Sequence, residues 1–299
     1  MKDFLSIGIC YYLPQDNYIN IEGCIPLQLG YNETHIDMGI SKDSDGDNRS
    51  LLHPIYSEYS GIYWIWKNTH SEYKGIFHHR RALTLDTLGF KTILDGYYRW
   101  FKCFFSNINN YTFDTFQPRV TCATEAEYLN KVSRFVSAVK ELTDCGYTMF
   151  LTVPVKYYNT NIRNVFSEVI SKPIFNAILS VLKSSYSSYY PFFIRTWESQ
   201  RLHFANISIM RADLYDDYCS FVFGVLDGVE KELLESGYYL EPLKEKSLYR
   251  TFGYIGELLT NSFALKKIEE GFKIKRCNLL FCSDLMGHES TDYTKFECK

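Results

Sequence analysis

Four consecutive side chains, His78, His79, Arg80 and Arg81, close the apolar run Tyr73 to Phe77. In open α/β sheets, ligands bind at the carboxyl ends of strands. Two arginines at such an end suit an anion, and phosphate is the commonest anion matching the guanidinium fork. An ion-pair cluster at a strand end explains the same residues equally well, because buried cations need partners in either case. Strand alternation puts His78 and Arg80 on one face and His79 and Arg81 on the other. Upstream, "DSDGDN" offers Asp43, Asp45 and Asp47 at alternate positions. The EF-hand template fails there, since Asn48 and Pro54 stand where it needs Gly and Glu. A looser divalent site, for Mn2+ or Mg2+, stays open, but the spacing favours an Asx-rich turn. Asn206 lies inside the strand-like "HFANISIM", where an unpartnered amide costs roughly 1–3 kcal/mol. It is a satisfied buried residue or a ligand contact. Arg250 and Glu257 are two turns apart on one helical face, a spacing that a solvated face also gives.

The elements that must position these residues follow from periodicity. "FLSIGICYY" (4–12) reads as a first buried strand,. A polar loop over 39–50 leads to a helix with Ile62, Ile65, Trp66 and Thr69 on one face, then to the strand ending at His78,. That order is the parallel α/β unit. Residues 84–119 are rich in aromatics and read as an irregular insertion or lid. Thr124 with Glu127 forms a capping box ahead of a helix through Leu142,. Further strands are expected over 147–155 and 202–210, and helices from Pro173 to Leu182, from an Asp213 cap, and over roughly 246–263,. "IKRCNLLF" is a candidate last strand.

Composition narrows the function classes. With 46% hydrophobic and 22% charged residues over 299 positions, the chain can bury a proper core,. The net charge of −3 carries no general nucleic-acid footprint,. No run of about 18 apolar residues is long enough to span a bilayer. The N-terminus reads as a strand and not as a signal peptide. Nine Cys without a CxxC pair argue against a disulfide framework or zinc ribbon,. The expected location is therefore cytoplasmic. Aromatics reach 17%, with 25 Tyr and 22 Phe, which suits a sugar site but is also an ordinary compositional bias,. Dinucleotide-binding, P-loop, zincin and hydrolase motifs do not occur.

Several segments together resemble one family. "SDGDNRSLLHPIYSEYSGIYWIWKN" followed by "YKGIFHHRRAL" is similar to the domain of unknown function 4422 family, found among capsular and exopolysaccharide biosynthesis proteins. That family's pattern has a Gly-Asp-Asn loop, a helix with Glu, Tyr-Trp-x-Trp-Lys-Asn, and a strand ending His-Tyr-Arg-Arg. Here Gly46, Asp47, Asn48, Glu58, Tyr63, Trp64, Trp66, Lys67, Asn68, His78, Arg80 and Arg81 match. Downstream, Asn206 and Met210 match a strand motif, and Arg250, Gly253 and Glu257 match an Arg-x-x-Gly-x-x-x-Glu segment. The chain departs at Tyr11 and Tyr12 where His-Lys is usual, and at Arg49, Tyr59 and Leu258.

The resemblance implies a single GT-A-like, Rossmann-type domain with a mostly parallel sheet flanked by helices and a helical C-terminal portion. Its implied activity is a glycosyltransferase using a nucleotide sugar, with a UDP-hexose such as UDP-galactofuranose as the expected donor. The expected acceptor is a lipid-linked capsular, exopolysaccharide or O-antigen oligosaccharide, met by peripheral contact with the inner face of the plasma membrane. Asp45, Asp47, Asn48, His78, Arg80, Arg81, Asn206 and Arg250 are the implied donor-site residues. Arg80 and Arg81 would supply the positive charge that a metal supplies in many such enzymes. A metal on Asp43, Asp45 and Asp47 is the alternative. For an inverting reaction, Glu257 and then Glu58 are the candidate general bases. The contrasting reading is a non-catalytic saccharide-binding or scaffolding protein of an assembly complex.

Overall fold

The computed structural model describes residues 3–15, 17–34, 36–106, 114–203, 205–238 and 250–283. Strand β1 (Leu5–Tyr11) is buried along its whole length, as expected of a strand covered on both faces,. It lies between β2 (Cys24–Gln28) and β4 (Tyr73–His78), parallel to both, and β3 (Ser41–Lys42) extends the same parallel group beside β2. Between β3 and β4 the chain forms a short helix α2 (His53–Tyr56) and then α3 (Tyr59–Asn68). A four-residue helix α1 (Tyr31–Thr34) follows β2.

Beyond β4 the sheet is mixed. The chain reverses through His79 and Arg80 into β5 (Arg81–Thr84), with His78 directly opposite Arg81. Strand β11 (Ser208–Arg211) runs antiparallel to both β4 and β8 (Met149–Thr152). Strand β12 (Ile274–Cys282) pairs parallel with β8 and β7 (Arg119–Cys122) and antiparallel with β5. The expectation of a mostly parallel sheet is corrected here: parallel order holds on the β3-β2-β1-β4 side, and antiparallel pairs dominate around β5 and β11. The reason is local. Two residues suffice for a hairpin, whereas a parallel return needs a long crossover, and only the latter leaves a strong helical pattern in sequence.

Alternation along β1 divides the core into two layers. Cys10 faces a cluster with Tyr59, Ile62 and Ile65, completed by α9 (Ala212–Glu235) and α10 (Thr251–Glu269). Ile7, Ile9 and Tyr11 face the other cluster with Val132, Phe135 and Val139 of α5 (Glu125–Asp144). The Thr124 cap forms as expected, its hydroxyl accepting from Glu127 N, while the Glu127 carboxylate reaches back to Ala123 N.

Four expectations change. The described part of 84–119 is largely regular, with α4 (Phe90–Ser106), β6 (Asp114–Phe116) and the start of β7, while 107–113 lie outside the described residues. The run 147–155 ends β8 at Thr152, and Val155 opens β9 (Val155–Tyr158), which joins β6 and β10 (Arg201–Leu202) in a small antiparallel sheet. The run 202–210 breaks between β10 and β11 at Ala205 and Asn206, both with positive φ. Asp213 is not the cap of α9; it sits in the first turn, ion-paired with the N-cap residue Arg211. Helix α6 (Ile162–Phe166), α7 (Lys172–Ser185) with Pro173 in its first turn, and α8 (Tyr190–Trp197) complete the α10 side. Helix α10 begins at Thr251, and the start expected at 246–249 lies outside the described residues.

Candidate active site

The sheet order reverses between β1 and β4, and it is there, outside the carboxyl ends of strands, that an α/β sheet opens a crevice,. His78 ends β4, and the turn residue His79 donates its N–H to Cys10 O at 3.1 Å. Because Ser208 of β11 lies opposite Ile76, the break at Ala205–Asn206 sits level with His78. Glu58 occupies the N-cap position of α3, whose C-terminal end faces the start of β4. Arg250 caps the N-terminus of α10, and its backbone N–H bonds Pro54 O at 2.9 Å.

These elements bring together Glu58, His78, Arg250 and Glu257. Arg250 Nη2 lies 3.1 Å from Glu58 Oε1, His78 Nδ1 lies 3.8 Å from the same oxygen, and Ser57 Oγ donates to Oε2 at 2.6 Å. Glu58, His78 and Glu257 are buried, whereas the Arg250 side chain keeps 29% of its exposure and so faces both the pair and the solvent. Burial would push the Glu58 carboxyl up, but the Arg250 guanidinium, His78 in its protonated form and the Ser57 hydrogen bond outweigh it and hold this group well below the usual carboxylate range. His78 contributes little positive charge to that balance at neutral pH. Burial, with help from Arg81, lowers its own pKa to about 4. Glu257 goes the opposite way: burial first, and then the neighbouring Glu58 charge, raise it to about 8. The Tyr12 phenol is raised by burial and by the same Glu58 charge, which places the end of β1 in the group.

Two features distinguish the cluster from an ordinary ion pair. His78 Nε2 and Glu257 Oε2 are buried with no hydrogen-bond partner among the described residues, and each such atom costs about 1–3 kcal/mol,. Among the described non-glycine residues with positive φ, Ser57, Ala205, Asn206 and Arg250 all border this site, Asn159 being the exception. Strained backbone persists where surrounding structure holds it in place, and it collects at functional sites.

The hairpin corrects the expected facing of the basic tetrad. Residues directly opposed across an antiparallel pair share a face, so Arg81, not Arg80, accompanies His78,. The influence of Arg81 on both His78 and Glu257 agrees with this. Arg80 and Arg81 are both half-buried at the mouth of the crevice. At pH 7, with His78 and Glu257 neutral, the Arg81 and Arg250 charges act on a group in which Glu58 is the charged carboxylate.

The Asp-rich loop is not brought into this group. Asp45 O accepts from Trp64 Nε1 at 2.9 Å and Asp47 Oδ1 from Tyr63 OH at 3.0 Å, so the loop tip lies along the far half of α3 from Glu58. A rise of about 1.5 Å per residue puts roughly 8–9 Å, more than one turn, between them. Asn48 Nδ2 closes the turn on Ser44 O and Gly46 O. Asp43 is fully buried, and its two oxygens accept from Gly30 N, Tyr31 N, Ser50 Oγ and Ser60 Oγ. A carboxylate so engaged has no lone pair free for Mn2+ or Mg2+, and among the described residues no three His, Cys, Asp or Glu side chains converge as metal ligands,. Asn206 Oδ1 accepts from Tyr59 OH at 3.0 Å, which makes it a support of the wall.

Ser57 and Ala205 belong to the site without any sequence signal that marks them, since a positive φ at Ser or Ala leaves no compositional trace, whereas Tyr12 is visible only as a departure from the family pattern. Two open hollows lie elsewhere, one of about 400 Å³ beside Lys131 and Arg134 and one of about 670 Å³ beside Asn164 and Phe175. Neither includes a residue of the His78–Glu257 group.

A family model described as "Domain of unknown function (DUF4422)" matches residues 9–268. No protein of curated function matches the sequence. Among solved structures, the chain is similar to one described as "WbbM bifunctional glycosytransferase apo structure", with a TM-score of 0.69 and 20% identity. The match covers 94% of this chain and 46% of that one, so the chain spans about half the length of that structure. At such identity the likeness is one of fold.

Proposed function

The chain belongs to the DUF4422 family, and from that premise we propose that it is a glycosyltransferase moving a sugar from a nucleotide-sugar donor to an oligosaccharide acceptor. The observation that carries this reading is the buried Glu58–Arg250–His78–Glu257 group, with two unpartnered polar atoms, at the reversal of the sheet. Transfer expels a nucleoside diphosphate, and Arg81 with Arg80 at the β4–β5 hairpin answers the charge developing on it. Glu257 in its charged form accepts the proton of the acceptor hydroxyl while that oxygen bonds the anomeric carbon and the bond to the diphosphate breaks. A base whose pKa lies near working pH suits that task,. Glu58 stays charged and holds Arg250 and His78 in place. In its finer form the proposal takes a UDP-hexose donor, an inverting course and a lipid-linked polysaccharide acceptor, following the family's association with capsular and exopolysaccharide biosynthesis.

Thermal melting against UDP, GDP, CMP and dTDP, each with and without manganese, tests it. A nucleotide at 100 times its Kd adds about 2.7 kcal/mol of stability. A shift with UDP that disappears in Arg81→Ala is expected. No shift with any nucleotide would return the chain to the saccharide-binding reading.

A further inference from the structure

Helix α4 is built inside out. Its inward stripe is Thr92, Gly96, Arg99 and Cys103, small or polar, while its exposed side carries rings. A soluble helix does the reverse. The inward docking is specific: a Cβ on Gly96 would meet the Phe116 ring at 2.8 Å, Arg99 bonds Asp114 at 2.7 Å, and Asn159 Nδ2 reaches Cys103 O at 2.8 Å. These contacts fix the rotation of the helix, so its ring-bearing side is the side it must present. Phe90, Leu94, Tyr97, Phe101, Phe104 and Phe105 follow one another at helical spacing there, and Phe90 is 74% and Tyr97 67% exposed. With Trp100 they sweep an arc of roughly 140° at 100° per residue.

We propose that this face is a docking surface for a lipid bilayer with anionic headgroups, α4 lying in the plane of the interface. Three observations select a bilayer over a second copy of the chain. The arc is far wider than the seam through which two helices pack. Phe, Trp and Tyr, which bury an apolar body under a polar edge, are the residues enriched at membrane–water interfaces. Lys91 and Lys102 are both exposed and both border the same edge of the arc, about 100° and 120° from Phe90, where their stems can follow the rings and their ammonium groups meet headgroups,. The acidic residue on that edge, Asp95, is ion-paired with Arg99 at 2.8 Å. The docked helix is also continuous with the candidate site. It packs on β6, β6 pairs with β9, and Tyr157 of β9 is close enough to feel the Glu257 charge. The surface itself does not depend on the transferase reading.

Co-sedimentation with vesicles of phosphatidylcholine, with and without phosphatidylglycerol, tests the proposal. The full chain is expected to bind, more tightly with phosphatidylglycerol and less tightly at high salt. Phe101→Ser and Phe104→Ser should each weaken binding to both vesicles by roughly tenfold. Lys91→Gln with Lys102→Gln should remove only the preference for phosphatidylglycerol. These exposed substitutions leave the inward stripe intact, and unchanged melting temperature and nucleotide binding would confirm that the variants fold. Absence of vesicle binding, or binding indifferent to ring removal, would overturn the proposal. So would light scattering that finds a dimer dispersed by Phe101→Ser, since a second copy would then cover the face.

Discussion

Glu257 and Glu58 are chemically the same side chain, and the folded chain drives them apart. Arg250 reaches Glu58 and not the buried Oε2 of Glu257, so one carboxyl stays charged and the other holds its proton to about pH 8. As the proposed base, Glu257 predicts kcat/KM rising with pH to a plateau above about 8. Glu257→Gln should abolish turnover while leaving nucleotide affinity in place; a variant that keeps both the rate and the rise would remove Glu257 from the mechanism. Both glutamates, His78 and Arg250 were legible in the sequence because their spacing matches a family pattern. The opposed ionisation of the two glutamates was not, since it depends on which of them Arg250 touches across 192 positions of chain in one case.

At the scale of elements, the site depends on how closely α10 approaches α3. A Cβ on Gly256 would fall 2.1 Å from the Tyr59 ring. That ring cannot step aside, because its hydroxyl is held by Asn206 at 3.0 Å and Thr260 at 2.9 Å. Gly256→Ala is therefore expected to cost about 1–3 kcal/mol or more by overpacking. It should also lower activity by displacing the adjacent Glu257. Gly89→Ala, where an added Cβ meets nothing within 4 Å, is the control and should be nearly neutral. Urea midpoints compare the two, and equal midpoints would refute the packing argument. Most of these elements were readable from periodicity and capping, α5 from its Thr124 box above all. The break at Ala205–Asn206 was not. Its flanks, "HF" and "ISIM", carry strand formers on both sides, so local propensity runs straight through a position that tertiary contacts bend,.

Across the whole molecule, buried titratable groups set the pH range of stability. His78 and His203 are buried, and burial lowers each to about 4. Below the usual histidine value of about 6.5 the unfolded chain takes up protons that the folded chain refuses, so stability falls as pH drops through that window, on the order of 3 kcal/mol for each. Glu257 acts on the other side. Its raised pKa favours the folded state below the ordinary carboxylate range, and that contribution is lost as pH rises towards about 8,. Urea unfolding is thus expected to show greatest stability near pH 6.5, with an alkaline decline that Glu257→Gln removes. An alkaline limb unchanged in that variant would disprove the assignment.

By itself the sequence determined the alternation of strand and helix, the buried β1 and β4, the family to which the chain belongs, and the basic tetrad at a strand end. Each of these is carried by residues near one another in the chain, where period and spacing are visible. Only the tertiary structure decided that β5 folds back at Arg80 and puts Arg81 with His78, that Asp43 is spent on backbone and hydroxyl groups, and that the aromatic helix faces outward. Amphipathic periodicity says that a helix has an apolar side. What lies against each side is fixed by distant partners, here Phe116, Asp114 and Asn159, and no local pattern encodes them.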